Sequence, residues 1–140
     1  MSNVIYNASS PDDVHEEEIR IPRDTDLPLK LYAKFGDDCP GCSDDELTPY
    51  DFTGHTIIIE IFECKEDTTV LLTIPNSDFT LEQTAEGVTA GVFDIAANTI
   101  LWSALSSLNN GQEYWYRYFI TDASSNNFVP QRGPFIKEEY

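Results

Sequence analysis

Apolar and polar residues alternate with period two over several short stretches of the chain. This is the pattern of strands with one buried face. In Leu29-Lys30-Leu31-Tyr32-Ala33-Lys34-Phe35, positions 29, 31, 33 and 35 point one way and the lysines the other. In Thr56-Ile57-Ile58-Ile59-Glu60-Ile61-Phe62-Glu63 both sets are apolar, which predicts a central strand partly covered on both faces. Val70-Leu71-Leu72-Thr73-Ile74 predicts a shorter strand stopped by Pro75, and residues 87–95 predict one or two more. Residues 113–121 are dense in strand formers, with Tyr114, Tyr116 and Tyr118 on one face and Trp115, Arg117 and Phe119 on the other. A last strand falls within residues 127–136, where Pro130 and Pro134 predict an edge or a bulge.

One stretch breaks the pattern. Apolar positions 101, 104, 105 and 108 have helical spacing, which predicts a short helix near residues 99–105 capped by Asn98 or Thr99. Turn signals separate the runs, as in Asn76-Ser77-Asp78 and Asn109-Asn110-Gly111. Seven or eight short strands without βαβ alternation predict an all-β antiparallel sandwich with one short helix. Its expected core includes Leu29, Leu31, Ile57, Ile59, Ile61, Leu72, Phe93, Leu101, Tyr116 and Tyr118. Residues 1–15 are polar and read as a flexible arm, and residues 16–140 as the sandwich domain.

Charge changes the picture of partners. The 140 residues hold 25 acidic and 8 basic side chains, a net charge of −17. Such a chain lacks the clustered cations that nucleic acid or an anionic membrane needs. With 41% hydrophobic residues it nevertheless has enough apolar material for a packed core. No basic residue followed by an apolar run opens the sequence, so no signal peptide is expected.

Candidate chemistry is sparse. Cys39-Pro40-Gly41-Cys42 has the spacing of half a zinc site, and Cys64 and His55 are the residues that could complete four ligands. The same pair could form a disulfide, or be two ordinary loop cysteines. Cys64 falls on a predicted strand and reads as a buried thiol. The acidic stretch of residues 36–51 could offer oxygen ligands to Ca²⁺, but it lacks EF-hand spacing and reads more simply as a solvated loop. His15 and His55 are the only histidines, and no nucleophile-elbow or phosphate-loop motif accompanies them. Trp115 and Phe119 mark a face suited to an interface, or to stacking a sugar or base.

The order of short motifs adds information. Ile21-Pro22-Arg23-Asp24-Thr25 precedes Asp51-Phe52-Thr53-Gly54-His55-Thr56, then Gly91-Val92-Phe93-Asp94-Ile95. Gly111-Gln112-Glu113-Tyr114-Trp115-Tyr116, Thr121-Asp122-Ala123 and Gln131-Arg132-Gly133-Pro134-Phe135 complete the succession. Over about residues 19–137 this resembles a small immunoglobulin-like domain of tailed bacteriophages, found in the N-terminal domain of baseplate upper proteins and in tail and head accessory proteins. Pro22, Phe52, His55 and the insertion at residues 39–46 depart from that pattern. The resemblance implies a virion structural protein in a tail, baseplate or capsid, assembled in the host cytoplasm. It implies other virion proteins as partners, a multi-copy or homo-oligomeric state, and neither enzymatic residues nor a cofactor. Two further readings rest on the residues alone: a secreted carbohydrate- or surface-binding sandwich, and an acidic inhibitor that mimics nucleic acid.

Overall fold

The computed structural model describes residues 2–8, 15–35 and 48–138. Two sheets face each other. The first has β1 (Ser2–Ala8), β4 (Leu27–Phe35), β9 (Ile95–Ile100) and β8 (Thr80–Glu82) in that order, with β5 (Thr48–Pro49) paired to β4. The second runs β2 (His15–Glu16), β12 (Gln131–Lys137), β10 (Glu113–Thr121), β6 (Thr56–Phe62), β7 (Val70–Ile74). In it β3 (Ile19–Ile21) also lies along β12, and β11 (Asn127–Phe128) along β10. The chain changes sheet repeatedly, as an immunoglobulin-like sandwich does. No helix among the described residues is long and apolar enough to cross a membrane.

Alternation builds the core. Ile57, Ile59 and Ile61 of β6 lie inward, in register beside Ile120, Tyr118 and Tyr116 of β10. Leu27, Leu29 and Leu31 of β4 close the core from the other sheet. Tyr116 packs edge-on against Tyr118 and Phe135, with ring centroids 6.2 and 6.4 Å apart. Such edge-to-face pairs add to simple burial. Burial pushes the Tyr116 and Tyr118 phenols far above their ordinary range.

One crossing is unusually tight. The Tyr116 hydroxyl donates to the Glu17 carbonyl at 2.6 Å and accepts from Gln131 Nε2 at 2.7 Å. The Glu17 amide donates to the Arg132 carbonyl at 2.9 Å. Residues 17–18 thus cross β12 where its parallel edge is interrupted between β2 and β3. Gly133 lies directly under them, and a Cβ there would stand 2.0 Å from the Glu17 oxygen. Pro134, which has no N–H to give, falls in the same gap. Of the two expectations, an edge or a bulge, the edge gives way: the strand is internal to the sheet, and an interruption of its pairing accommodates Pro134.

Other expectations give way to pairing. Residues 85–90 form a short helix, α1 (Ala85–Ala90), rather than a strand. Thr84 caps it by accepting from the Gly87 amide at 2.9 Å, and Gly91 ends it in the left-handed conformation at φ 73°. The buried Asp94 carboxylate accepts from the Thr84 amide at 2.8 Å and from its hydroxyl at 2.5 Å. The helix expected near residues 99–105 is strand through Ile100, then a single 3-10 turn at Trp102–Leu105. Asn98 and Thr99 pair with Leu29 and Pro28 instead of capping. Leu105 and Leu108 are buried, but Phe93 and Leu101 are 41% and 48% exposed, so these two leave the expected core. Leu72 packs on the core's margin. Lys137 is buried, with its ammonium donating to the carbonyls of Leu105 at 2.8 Å and Leu108 at 3.3 Å and lying 4.7 Å over the Trp102 ring. Of residues 1–15, read as an arm, Ser2–Ala8 pairs in parallel with β4 along its whole length.

Candidate interaction face

The outward positions of β10 and its neighbours form the most distinctive surface. Trp115, Arg117 and Phe119 are half-buried on the side opposite the tyrosine core. In register beside them are Phe62, Glu60 and Ile58 of β6. Trp115 and Arg117 face Pro134 and Arg132 of β12 on the other side. Arg117 organises this strip. Its Nε donates to Glu60 Oε1 at 2.7 Å, and its guanidinium lies 5.2 Å over the Phe62 ring and 4.9 Å over the Phe119 ring. A planar cation held between two aromatic faces and a carboxylate is fixed in both position and orientation. Lys65 extends over the same surface, 5.1 Å above the Trp115 ring and 3.7 Å from Glu16. Glu16 also pairs with Arg132 at 3.3 Å.

The sequence identifies Trp115 and Phe119 on this face. It misses Phe62, Glu60 and Lys65. The first two were legible, because the alternation that turns Ile57, Ile59 and Ile61 inward turns Ile58, Glu60 and Phe62 outward. Lys65 comes from the turn after β6, and no periodicity reports where a turn folds back.

The suggested metal ligands are not gathered. His55 precedes β6 and Cys64 follows it. The six residue steps within the strand alone separate them by about 20 Å at roughly 3.3 Å each, so one ion cannot be held by both. Cys64 is exposed beyond the strand end rather than buried on it. Cys39 and Cys42 lie outside the described residues, as does most of the acidic stretch. Among the described residues no three His, Cys, Asp or Glu side chains form a cluster with metal-binding geometry.

His55 is instead part of an aromatic group with Tyr50, Phe52 and Phe128. Its Nδ1 lies 3.0 Å from the Thr53 carbonyl, which can only accept, so Nδ1 donates. In the neutral ring Nε2 then accepts from the Tyr50 hydroxyl at 2.6 Å. Burial, reinforced by the nearby Asp122 and Asp51 carboxylates, pushes the Tyr50 phenol up to about 12. Desolvation opposes ionisation of Asp51, yet bonds from the Thr53 hydroxyl and amide and from the Phe93 amide hold it below the ordinary carboxylate range. Asp122 is also held low, chiefly by the Asn126 amide and then, against some desolvation, by that of Ser124.

These shifts set the direction of the pH response. A phenol whose folded value is raised stabilises the fold fully below the unfolded value near 10, and that contribution is lost as pH rises towards the folded value. The depressed carboxylates act oppositely, with stability present above about 4 and lost as pH falls. Melting temperature should therefore drop between pH 10 and 12, and more gently in Tyr50→Phe. Parallel alkaline limbs in the two proteins would show that Tyr50 does not contribute.

A cleft of about 470 Å³ lies where β9 extends past its register with β8, lined in part by Ile74, Asp78, Asn98 and Leu101. The Asn98 amide is buried there, with no partner among the described residues.

No family model matches the chain, and no curated protein matches it. Among solved structures, the chain is similar to one described as the crystal structure of ICOS in complex with ICOS-L and an anti ICOS-L VNAR domain. That similarity has 11% identity and a TM-score of 0.41, and covers 89% of this chain and 56% of the other. The fold, read from the order and pairing of its own strands, is an all-β immunoglobulin-like sandwich.

Proposed function

We propose that the chain is a structural module of a tailed-bacteriophage virion, acting by protein–protein contact as a tail or baseplate adaptor or a head decoration. The succession of short motifs over about residues 19–137 supports the assignment to a virion. The observation that carries the mode of action is the outer face of the seven-stranded sheet, where Trp115, Arg117 and Phe119 are held in fixed geometry at the surface. Tryptophan, arginine and phenylalanine are enriched at protein interfaces. On the same face, Lys65 stands over the Trp115 ring, where a stacked sugar would have to lie.

The test is mass spectrometry of purified particles. The chain is expected in virions in several copies. Trp115→Ser with Phe119→Ser is expected to leave folding intact and to remove the chain from particles. Its absence from wild-type particles overturns the assignment.

A further inference from the structure

We propose that the outer face of the seven-stranded sheet pairs with the same face of a second copy of this chain, back to back about a two-fold axis. The inference rests on reading that face as a docking surface, and it names the partner.

Charge is the first argument. The chain carries −17 in all. The outward positions of this sheet's strands hold Arg20, Arg117 and Arg132 against Glu16, Glu60 and Glu113. Lys65 lies over the same face, and Glu18 and Glu138 pair with Arg20 on it, so four cations meet five carboxylates there. The face is close to neutral, and nearly all of the net charge resides on the rest of the molecule. Two copies meeting elsewhere bring like charge together, and two copies meeting here do not. At about 0.1 M salt, interactions are screened beyond roughly 10 Å, so the charge at the contact itself decides.

The residues suit a self-complementary contact. Trp115, Phe119 and Ile58 supply apolar area, and Leu71 extends it to the β7 edge at 45% exposure. Arg117 and Glu60 enter already paired at 2.7 Å, and the Glu60 side chain is only 14% exposed. The desolvation of Glu60 is largely met within one copy, and Arg117, 38% exposed, meets the partner already paired, so docking strands no unpaired charge. The size suits a weak, reversible dimer. The strands of the five rows have two and three, seven, nine, seven and five residues, which at about 3.4 Å by 4.8 Å each cover roughly 540 Å², below the ~800 Å² per partner of a standard interface.

Sedimentation velocity on the full chain tests this, at about 20 and 200 mM NaCl. A dimer is expected that tightens with salt, because salt screens the long-range repulsion of two −17 molecules while leaving apolar contact intact. Leu71→Glu is expected to weaken dimerisation at least about tenfold, since it adds like charge to both copies at an already exposed position. Trp115→Ser with Phe119→Ser is expected to give a monomer, with the melting transition confirming a folded chain. A wild type that stays monomeric at about 200 μM in both salts overturns the proposal, as does a dimer that both variants leave unchanged. A monomer that still enters particles through Trp115 and Phe119 overturns the dimer but not the virion assignment. A dimer absent from particles overturns the assignment alone.

Discussion

Replacing Gly133 by alanine should unfold the domain at a much lower temperature than any other single added methyl. The new Cβ would lie 2.0 Å from the Glu17 carbonyl oxygen and 2.7 Å from its carbon. The obstacle is main chain, so no side-chain rotation relieves it. The crossing segment would have to lift, losing the Tyr116 bond to Glu17 and the Glu17 bond to Arg132. Overpacking alone costs about 1–3 kcal/mol, and the lost bonds bring the total to the top of that range or beyond. For a domain this size, about 3 kcal/mol corresponds to a fall of roughly 10 °C in melting temperature. Gly91→Ala is the contrast. Its site is open, with nothing within 4 Å of a new Cβ, and only the left-handed backbone at φ 73° opposes the change. That costs about 1–2 kcal/mol. Equal losses in the two variants would refute the steric account of Gly133.

The second large effect is expected at Ile59, which is fully buried at the centre of β6 between β10 and β7. Truncation to alanine removes apolar contact and leaves a cavity that a sheet paired on both sides closes poorly. The expected loss is about 2–5 kcal/mol by chemical denaturation. Ile58→Ala, one residue along and facing outward, should cost less than half as much. The pair measures the strand's facing directly, and comparable costs would mean that β6 is buried equally on both sides.

These positions also show how far the sequence could be read. Period-two alternation found β4, β6, β7 and β10 because each has one side against the core, so burial is written into every second residue. The same logic marked Trp115 and Phe119. It failed at residues 85–105. Val88 and Thr89 favour strands intrinsically, yet Thr84, Asp94 and the left-handed Gly91 fix a helix there through specific polar bonds. Leu101, Leu105 and Leu108 are spaced like a helix, yet six residues of pairing with β4 keep β9 extended up to Ile100. Long-range pairing decided the second and lies outside any local window, whereas the cap, carboxylate and left-handed glycine that decide the first all fall within residues 84–94. The cation stacking of Lys65 and Arg117 depends on the relative placement of β6, β10 and the turn after β6, which periodicity does not encode.

The parallel edge formed by β2 and β3 along β12 has a mechanical meaning. Tension between His15 and Lys137 pulls the two strands past each other along their common axis, because one enters where its neighbour begins and the other leaves where its neighbour ends. The hydrogen bonds of such an edge are loaded in shear and must yield together rather than peel open one by one. Between these two points the edge is a stiff link, and Gly133, which lets the crossing segment lie flat, keeps the two parts of that link in line.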